Sequence, residues 1–191
     1  MKRGELAAVA AARLPADGFV FCGLGSTSRA WRALGDPRPT YYASDPMGGA
    51  PTLALGFALA RPDLAVTLLE GDGDLLMDAG ALVTIAAAGA VNFRMIVFHN
   101  RIYQTGGGQP LATGPGFDLA KMAQGAGLGG GRVVADTAAA AAAVGELVTL
   151  PGPSVLVAMI EDEPSPYTIP TRDTGPEERA AFRAAVERSR P

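Results

Sequence analysis

Cysteine and histidine are nearly absent from this chain: Cys22 and His99 are the only ones among 191 residues. A single cysteine excludes an intrachain disulfide and leaves no cysteine cluster for zinc or an iron–sulfur centre. Positive charge is not in excess either. Sixteen Lys and Arg against nineteen Asp and Glu give a net charge of −3, and the pI near 5.2 provides no basic stripe for nucleic acid or an anionic membrane. No uninterrupted apolar run approaches the roughly 18 residues of a membrane span. The N-terminus carries Lys2, Arg3 and Glu5 ahead of an alanine-rich amphipathic run, not the clean apolar core of a signal segment. A cytoplasmic protein that contacts neither nucleic acid nor membrane is the expectation.

What is present is apolar and rich in turns. With 48% hydrophobic residues and 25 glycines, a chain of this length builds one compact domain with a sizeable core and has no room for a second catalytic domain. Helical and strand patterns alternate along it. Helices are expected at about 3–14, 26–34, 48–60, 77–90, 117–126, 137–150 and 176–188, and strands at about 18–22, 40–43, 65–70, 94–99, 131–134 and 153–160. Such alternation predicts an α/β fold, a single three-layer α/β/α domain around a central, mostly parallel six-stranded sheet. The low-complexity run from Ala135 to Leu150 favours helix and reads as scaffold.

The most informative stretch is Glu70-Gly71-Asp72-Gly73-Asp74, answered downstream by Phe98-His99-Asn100-Arg101-Ile102-Tyr103. Gly71 and Gly73 allow a sharp turn after the strand and leave backbone N–H groups open to phosphate oxygens. Asp72 then faces a metal. Magnesium takes about six oxygens, usually from one or two carboxylates with phosphates and water. Asp72, the Asn100 side-chain oxygen, the Ile102 carbonyl, two diphosphate oxygens and a water complete such a set. Residues 74–99 are enough for a helix and a return strand, so Asp72 and Asn100 end neighbouring parallel strands. Ligands in such sheets sit beyond the carboxyl ends of the strands.

Gly-Asp-Gly, a long gap and then Asn resembles the motif of the thiamine-diphosphate enzymes, and Tyr103 stands where that family places an aromatic residue. Residues Arg101 to Pro110 and Phe117 to Ala123 look like the segment after the metal asparagine in sulfopyruvate and phosphonopyruvate decarboxylases. Ser28-Arg29, Met47-Gly48-Gly49-Ala50 and Leu55 to Ala60 fit the same family. The resemblance runs from about residue 5 to residue 160 and concerns the diphosphate-binding domain alone, which in some of these enzymes is a separate beta subunit. It implies a thiamine-diphosphate domain at 1–165, binding the cofactor with Mg²⁺. Residues 166–191 form a C-terminal extension: Pro164-Ser165-Pro166 and Pro170 break regular structure ahead of a short charged helix, either a solvated appendage or a docking arm, with the appendage preferred.

The resemblance also assigns residues. Met47 is expected to wedge beneath the cofactor and hold its rings bent, the role given it in catalysis, with Asp45 offering its backbone carbonyl to the aminopyrimidine and Gly48 following. Asp45-Pro46 stands where relatives often carry Gly-Ser. Asp74 lies beside the diphosphate where relatives often have Ser or Ala, and there it must either point away from the phosphate or cap the helix, the cap being preferred. His99 replaces the first residue of an Asn-Asn pair and is read as a hydrogen-bonded strand-end residue. The cofactor set is therefore Asp45, Met47, Gly48, Gly71, Asp72, Gly73, Asp74, Asn100, Ile102 and Tyr103, with Asp72, Asn100 and Ile102 on the metal. The loop from Gln104 to Gln109 is either a cover for substrate or a mobile surface loop.

The glutamate that activates the pyrimidine lies on another domain in that family, and no segment here looks like it. Glu70 falls at the wrong end of the cofactor. The chain is accordingly expected to be half of an active site, completed by a pyrimidine-binding subunit within an oligomer and acting on a small 2-oxo acid, with loss of carbon dioxide. Arg29 and Arg101 are candidate contacts for an acidic substrate. Two rival readings stand beside it: a non-catalytic or degenerate thiamine-diphosphate-binding module, and an oxidoreductase of the 2-oxoacid:ferredoxin type, whose iron–sulfur cysteines this chain lacks.

Overall fold

A computed structural model describes residues 1–44, 46–164 and 175–189. Six strands form one parallel sheet: β1 (Phe19–Cys22), β2 (Thr40–Tyr42), β3 (Val66–Gly71), β4 (Phe93–His99), β7 (Gly129–Val134) and β8 (Ser154–Met159), in the order β2-β1-β3-β4-β8-β7. Two short strands, β5 (Ile102–Tyr103) and β6 (Gln109–Pro110), pair antiparallel as a separate ribbon. Neither strand is long enough to carry a period-two pattern, and the sequence expectation omits both.

The central strands are apolar on both faces, as strands covered by helices on each side must be. Leu68 in β3 is level with Phe21 of β1 and Met95 of β4, which is level with Val155 of β8. One face is covered by α3 (Gly49–Ala60), α5 (Ala81–Ala88) and α6 (Leu119–Gly125), the other by α1 (Arg3–Arg13), α2 (Ser26–Leu34) and α7 (Thr137–Thr149). Asp118 and Asp136 start α6 and α7 by accepting the N–H of Lys121 at 3.0 Å and of Ala139 at 2.8 Å. The expected helix over 77–90 is shorter, α5 at Ala81–Ala88, because a 3₁₀ turn at Leu76–Asp78 occupies its start; a four-residue turn, α4 (Asp72–Leu75), comes before that.

The C-terminal helix α8 (Gly175–Arg188) packs against the domain, where a solvated appendage was expected. Phe182 inserts its ring among Phe19, Phe21, Tyr41 and Phe57, with centroids 5.4 to 5.6 Å away. Arg32 forks onto Glu178 at 2.9 and 2.8 Å. A pattern of charges hides one well-placed aromatic, and aromatic burial outweighs exposed ion pairs. The expected boundary between residues 165 and 166 lies outside the described residues. Among the described residues no helix is long and apolar enough to cross a membrane.

The chain leaves β1 for edge strand β2 and returns on the other side of β1 to β3. That reversal opens a crevice at the carboxyl ends of β1 and β3, where open α/β sheets bind ligands.

Candidate functional site

The crevice is a cleft lined by the turn after β1 (Leu24, Ser26, Thr27), Met47, the β3 turn from Gly71 to Asp74, and Asn100, Ile102 and Tyr103 beyond β4. The sequence-predicted residues Met47, Gly71, Asp72, Gly73, Asp74, Asn100, Ile102 and Tyr103 thus converge on one site. Gly48 lies behind Met47, at the start of α3. Asp45 falls outside the described residues.

Asp72 begins α4 and is 2% exposed. Its Oδ1 accepts the Gly73 N–H at 2.7 Å, while Oδ2 accepts the Arg101 N–H at 2.7 Å and lies 2.6 Å from His99 Nδ1. A carboxylate has no hydrogen to give, so Nδ1 is the donor and the partner fixes the tautomer. His99 is therefore the hydrogen-bonded strand-end residue the sequence suggests, and its partner is Asp72. The chain reverses immediately afterwards. Arg101 adopts φ 66°, a left-handed conformation rare for a residue with a side chain. That reversal directs Asn100 and Ile102 back to the cleft.

Asn100 Nδ2 donates to Gln104 Oε1 at 3.0 Å, and its Oδ1 accepts the Ile102 N–H at 3.3 Å. Gln104 also accepts from the buried Arg3 guanidinium and donates to the Glu163 carbonyl. Close approach explains Gly73: a Cβ there would lie 2.8 Å from Tyr103 Cδ1. The Tyr103 ring therefore lies against the turn that carries Asp72.

Asp74 differs from expectation. It does not cap its own helix: Oδ1 accepts the Gly48 N–H at 2.7 Å and Oδ2 the Leu24 N–H at 2.8 Å. Both oxygens are held by backbone from two distant loops, which no local pattern reveals. Glu70 is fully buried and outside the cleft lining, with Oε1 accepting the Gly71 N–H at 2.9 Å. Burial, and after it the charge of Asp74, pushes its carboxyl well above the ordinary glutamate value.

Arg29 and Arg101 do not line the cleft; Arg3 is its one cation among the described residues. Arg3 is a residue that sequence reasoning missed, and nothing around it marks it, since its partner Gln104 lies 101 positions away. Ser26 and Thr27 were also missed. Their signal was legible: a strand, a glycine-flanked turn and a helix start bearing hydroxyls. Among the described residues no group of three or more His, Cys, Asp or Glu side chains is placed to hold a metal, so a cation here would draw its side-chain charge from Asp72.

A family profile described as the C-terminal TPP-binding domain of thiamine pyrophosphate enzymes matches residues 23–158. The chain belongs to this family. The beta subunit of sulfopyruvate decarboxylase from Methanothermobacter thermautotrophicus is 39% identical over 93 residues, 49% of this chain and 50% of that one. The phosphonopyruvate decarboxylase of Streptomyces viridochromogenes is 37% identical over 98 residues, 51% of this chain and 24% of that one. The thiamine diphosphate-dependent 4-hydroxybenzoylformate decarboxylase of Rhodococcus jostii superposes with a TM-score of 0.68 at 24% identity, over 84% of this chain and 32% of that one; at that identity it speaks for the fold. The matched segments span half or less of these decarboxylases. Within a TPP-binding domain the cleft at the ends of β1, β3 and β4 is the region that carries the Gly-Asp-Gly and Asn motif.

Proposed function

We propose that this TPP-binding domain is the diphosphate-binding subunit of a 2-oxo acid decarboxylase of the sulfopyruvate or phosphonopyruvate type, completed by a separate pyrimidine-binding subunit. The observation that carries the reading is the convergence of Asp72 and the Asn100 amide on one cleft, supported by the names of its relatives. The residues fit a magnesium diphosphate. The donors are hard oxygens with one carboxylate, as magnesium prefers when phosphates supply the rest. The glycine turn is packed so closely that a side chain at Gly73 would meet the Tyr103 ring.

In this reading Asp72, Asn100 and the Ile102 carbonyl would hold Mg²⁺ and the Ser26 and Thr27 hydroxyls would line the wall, whereas the Gly71 and Gly73 N–H groups, expected to be open to phosphate, donate to Glu70 and Asp72. Met47, 37% exposed at the cleft edge, would support the cofactor from beneath. Thiamine diphosphate supplies the electron sink for loss of carbon dioxide from a 2-oxo acid. His99 and the Arg101 N–H fix the Asp72 carboxylate, and Gln104 takes the Asn100 NH₂, so that the amide oxygen would be the atom offered to a metal. Asp72 and Asp74 are the cleft's carboxylates among the described residues, and each is engaged by backbone donors. The acid that acts on the pyrimidine therefore comes from the partner, in an oligomer that works in the cytoplasm.

The test is reconstitution. Mixed with its pyrimidine-binding subunit, the chain should release carbon dioxide from sulfopyruvate or phosphonopyruvate, and neither component should do so alone. Turnover by the isolated chain, or none by the mixture, contradicts the split-site reading.

A further inference from the structure

Asp74 sits at the cleft yet directs both carboxylate oxygens into the protein. It is 6% exposed, and the two N–H groups it accepts belong to Gly48 and Leu24, 26 and 50 positions away, in the loops that follow β2 and β1. Gly48 directly follows Met47, at φ 90°. A Cβ on Gly48 would come within 2.9 Å of Asp78 Cβ and 3.0 Å of the Asp78 backbone nitrogen. The Met47–Gly48 turn is thus pressed against the 3₁₀ turn on one side and tied by Asp74 on another. A hydroxyl at position 74 has a single oxygen, whereas a carboxylate has two, each able to take a different N–H, and its charge strengthens both bonds. The two contacts also stabilise the negative charge of Asp74 with backbone dipoles.

We infer that Asp74 is a positioning residue: its carboxylate clamps the loops after β1 and β2 together and sets the height at which Met47 meets the bound cofactor. It acts through Gly48 and touches neither cofactor nor substrate. The inference rests on the reading of Met47 as the support beneath thiamine diphosphate. It makes the residue that departs from Ser or Ala part of how this chain holds its wedge.

The clamp is tested on the intact chain by amide hydrogen exchange, read residue by residue by nuclear magnetic resonance. The Gly48 and Leu24 amides should be protected in the wild type. In Asp74→Ser both should exchange at least about tenfold faster, while the Leu69 and Ile96 amides in the sheet keep their wild-type rates. Asp74→Asn retains one acceptor oxygen and should preserve the protection of one of the two amides. Unprotected Gly48 and Leu24 amides in the wild type, or rates unchanged in Asp74→Ser, would overturn the clamp, and the wild-type arm decides even if a variant fails to fold. The consequence for Met47 is read by titrating the chain, assembled with its pyrimidine-binding subunit, with magnesium thiamine diphosphate and separately with magnesium pyrophosphate. Asp74→Ser should weaken the first by about tenfold or more and the second by no more than about twofold. Equal losses would mean that Asp74 serves the diphosphate itself and not the wedge. If the wild type binds neither compound, the functional reading fails, and the exchange rates still decide the clamp.

Discussion

The middles and the carboxyl ends of β3 and β4 are the same two strands put to opposite uses. In the middle, Leu68 and Leu69 face Met95 and Ile96 in an interior that excludes water. A few residues further on, Glu70, Asp72, Asp74 and His99 are just as buried but polar. Burying polar groups costs free energy unless each finds a partner, and here the partners are the backbone N–H groups of Arg101, Leu24, Gly48, Gly71 and Gly73 for the carboxylates and Asp72 for His99, while Glu70 Oε2 is left without a hydrogen bond among the described residues. The contrast separates two tasks. Apolar burial in the middle holds the domain together, and the ends use that rigidity to hold costly groups in one geometry.

The comparison breaks if the two regions cannot be perturbed separately. Leu68→Ala, in the middle, should lower stability by about 2–5 kcal/mol, read as a drop in the thermal midpoint on the order of 10 °C, and leave cofactor affinity intact below that midpoint. At the ends, Gly73→Ala drives a methyl against the Tyr103 ring. It should cost roughly 1–3 kcal/mol and, unlike Leu68→Ala, also weaken thiamine diphosphate binding. His99→Ala removes the donor that orients Asp72 and should weaken magnesium-dependent binding by about tenfold, with stability less affected than in Leu68→Ala. His99→Asn, which restores the residue of the Asn-Asn pair, should recover most of that loss in the same titration.

The smallest effect sharpens the boundary at the end of β1. Burial, and after it the charge of Glu70, pushes the Cys22 thiol well above its ordinary value of 9.0. The folded chain therefore keeps a proton that the unfolded chain loses, and this contribution to stability is present below pH 9 and declines as pH rises beyond it. Cys22→Ala should flatten that decline in denaturant melts. Because the thiolate is the reactive form, an alkylating reagent at pH 8 should leave Cys22 unmodified until the chain is unfolded.

Much of the middle was legible in the sequence and much of the end was not. The six sheet strands and α2, α3, α6 and α7 lie within two or three residues of their expected positions, because apolar runs and glycine or proline punctuation report burial directly. The bringing together of Asp72 and Asn100 was equally readable from the gap between them. The tie between Asp74 and Gly48, the anchoring of Gln104 by Arg3 and the docking of Phe182 were not. Each joins residues far apart in the chain through a side chain whose direction depends on the finished fold. The ribbon of β5 and β6 escaped notice because two-residue strands carry no period.

The central claim is that Asp72 and Asn100 meet to hold a magnesium diphosphate, and calorimetry tests it most directly. Magnesium and thiamine diphosphate are titrated into the chain, alone and with the pyrimidine-binding subunit, for wild type and Asp72→Ala. Binding that requires magnesium, tightens with the partner and weakens by roughly 100-fold in Asp72→Ala is the predicted result. Binding of equal strength in both proteins, or by neither under any condition, would contradict it.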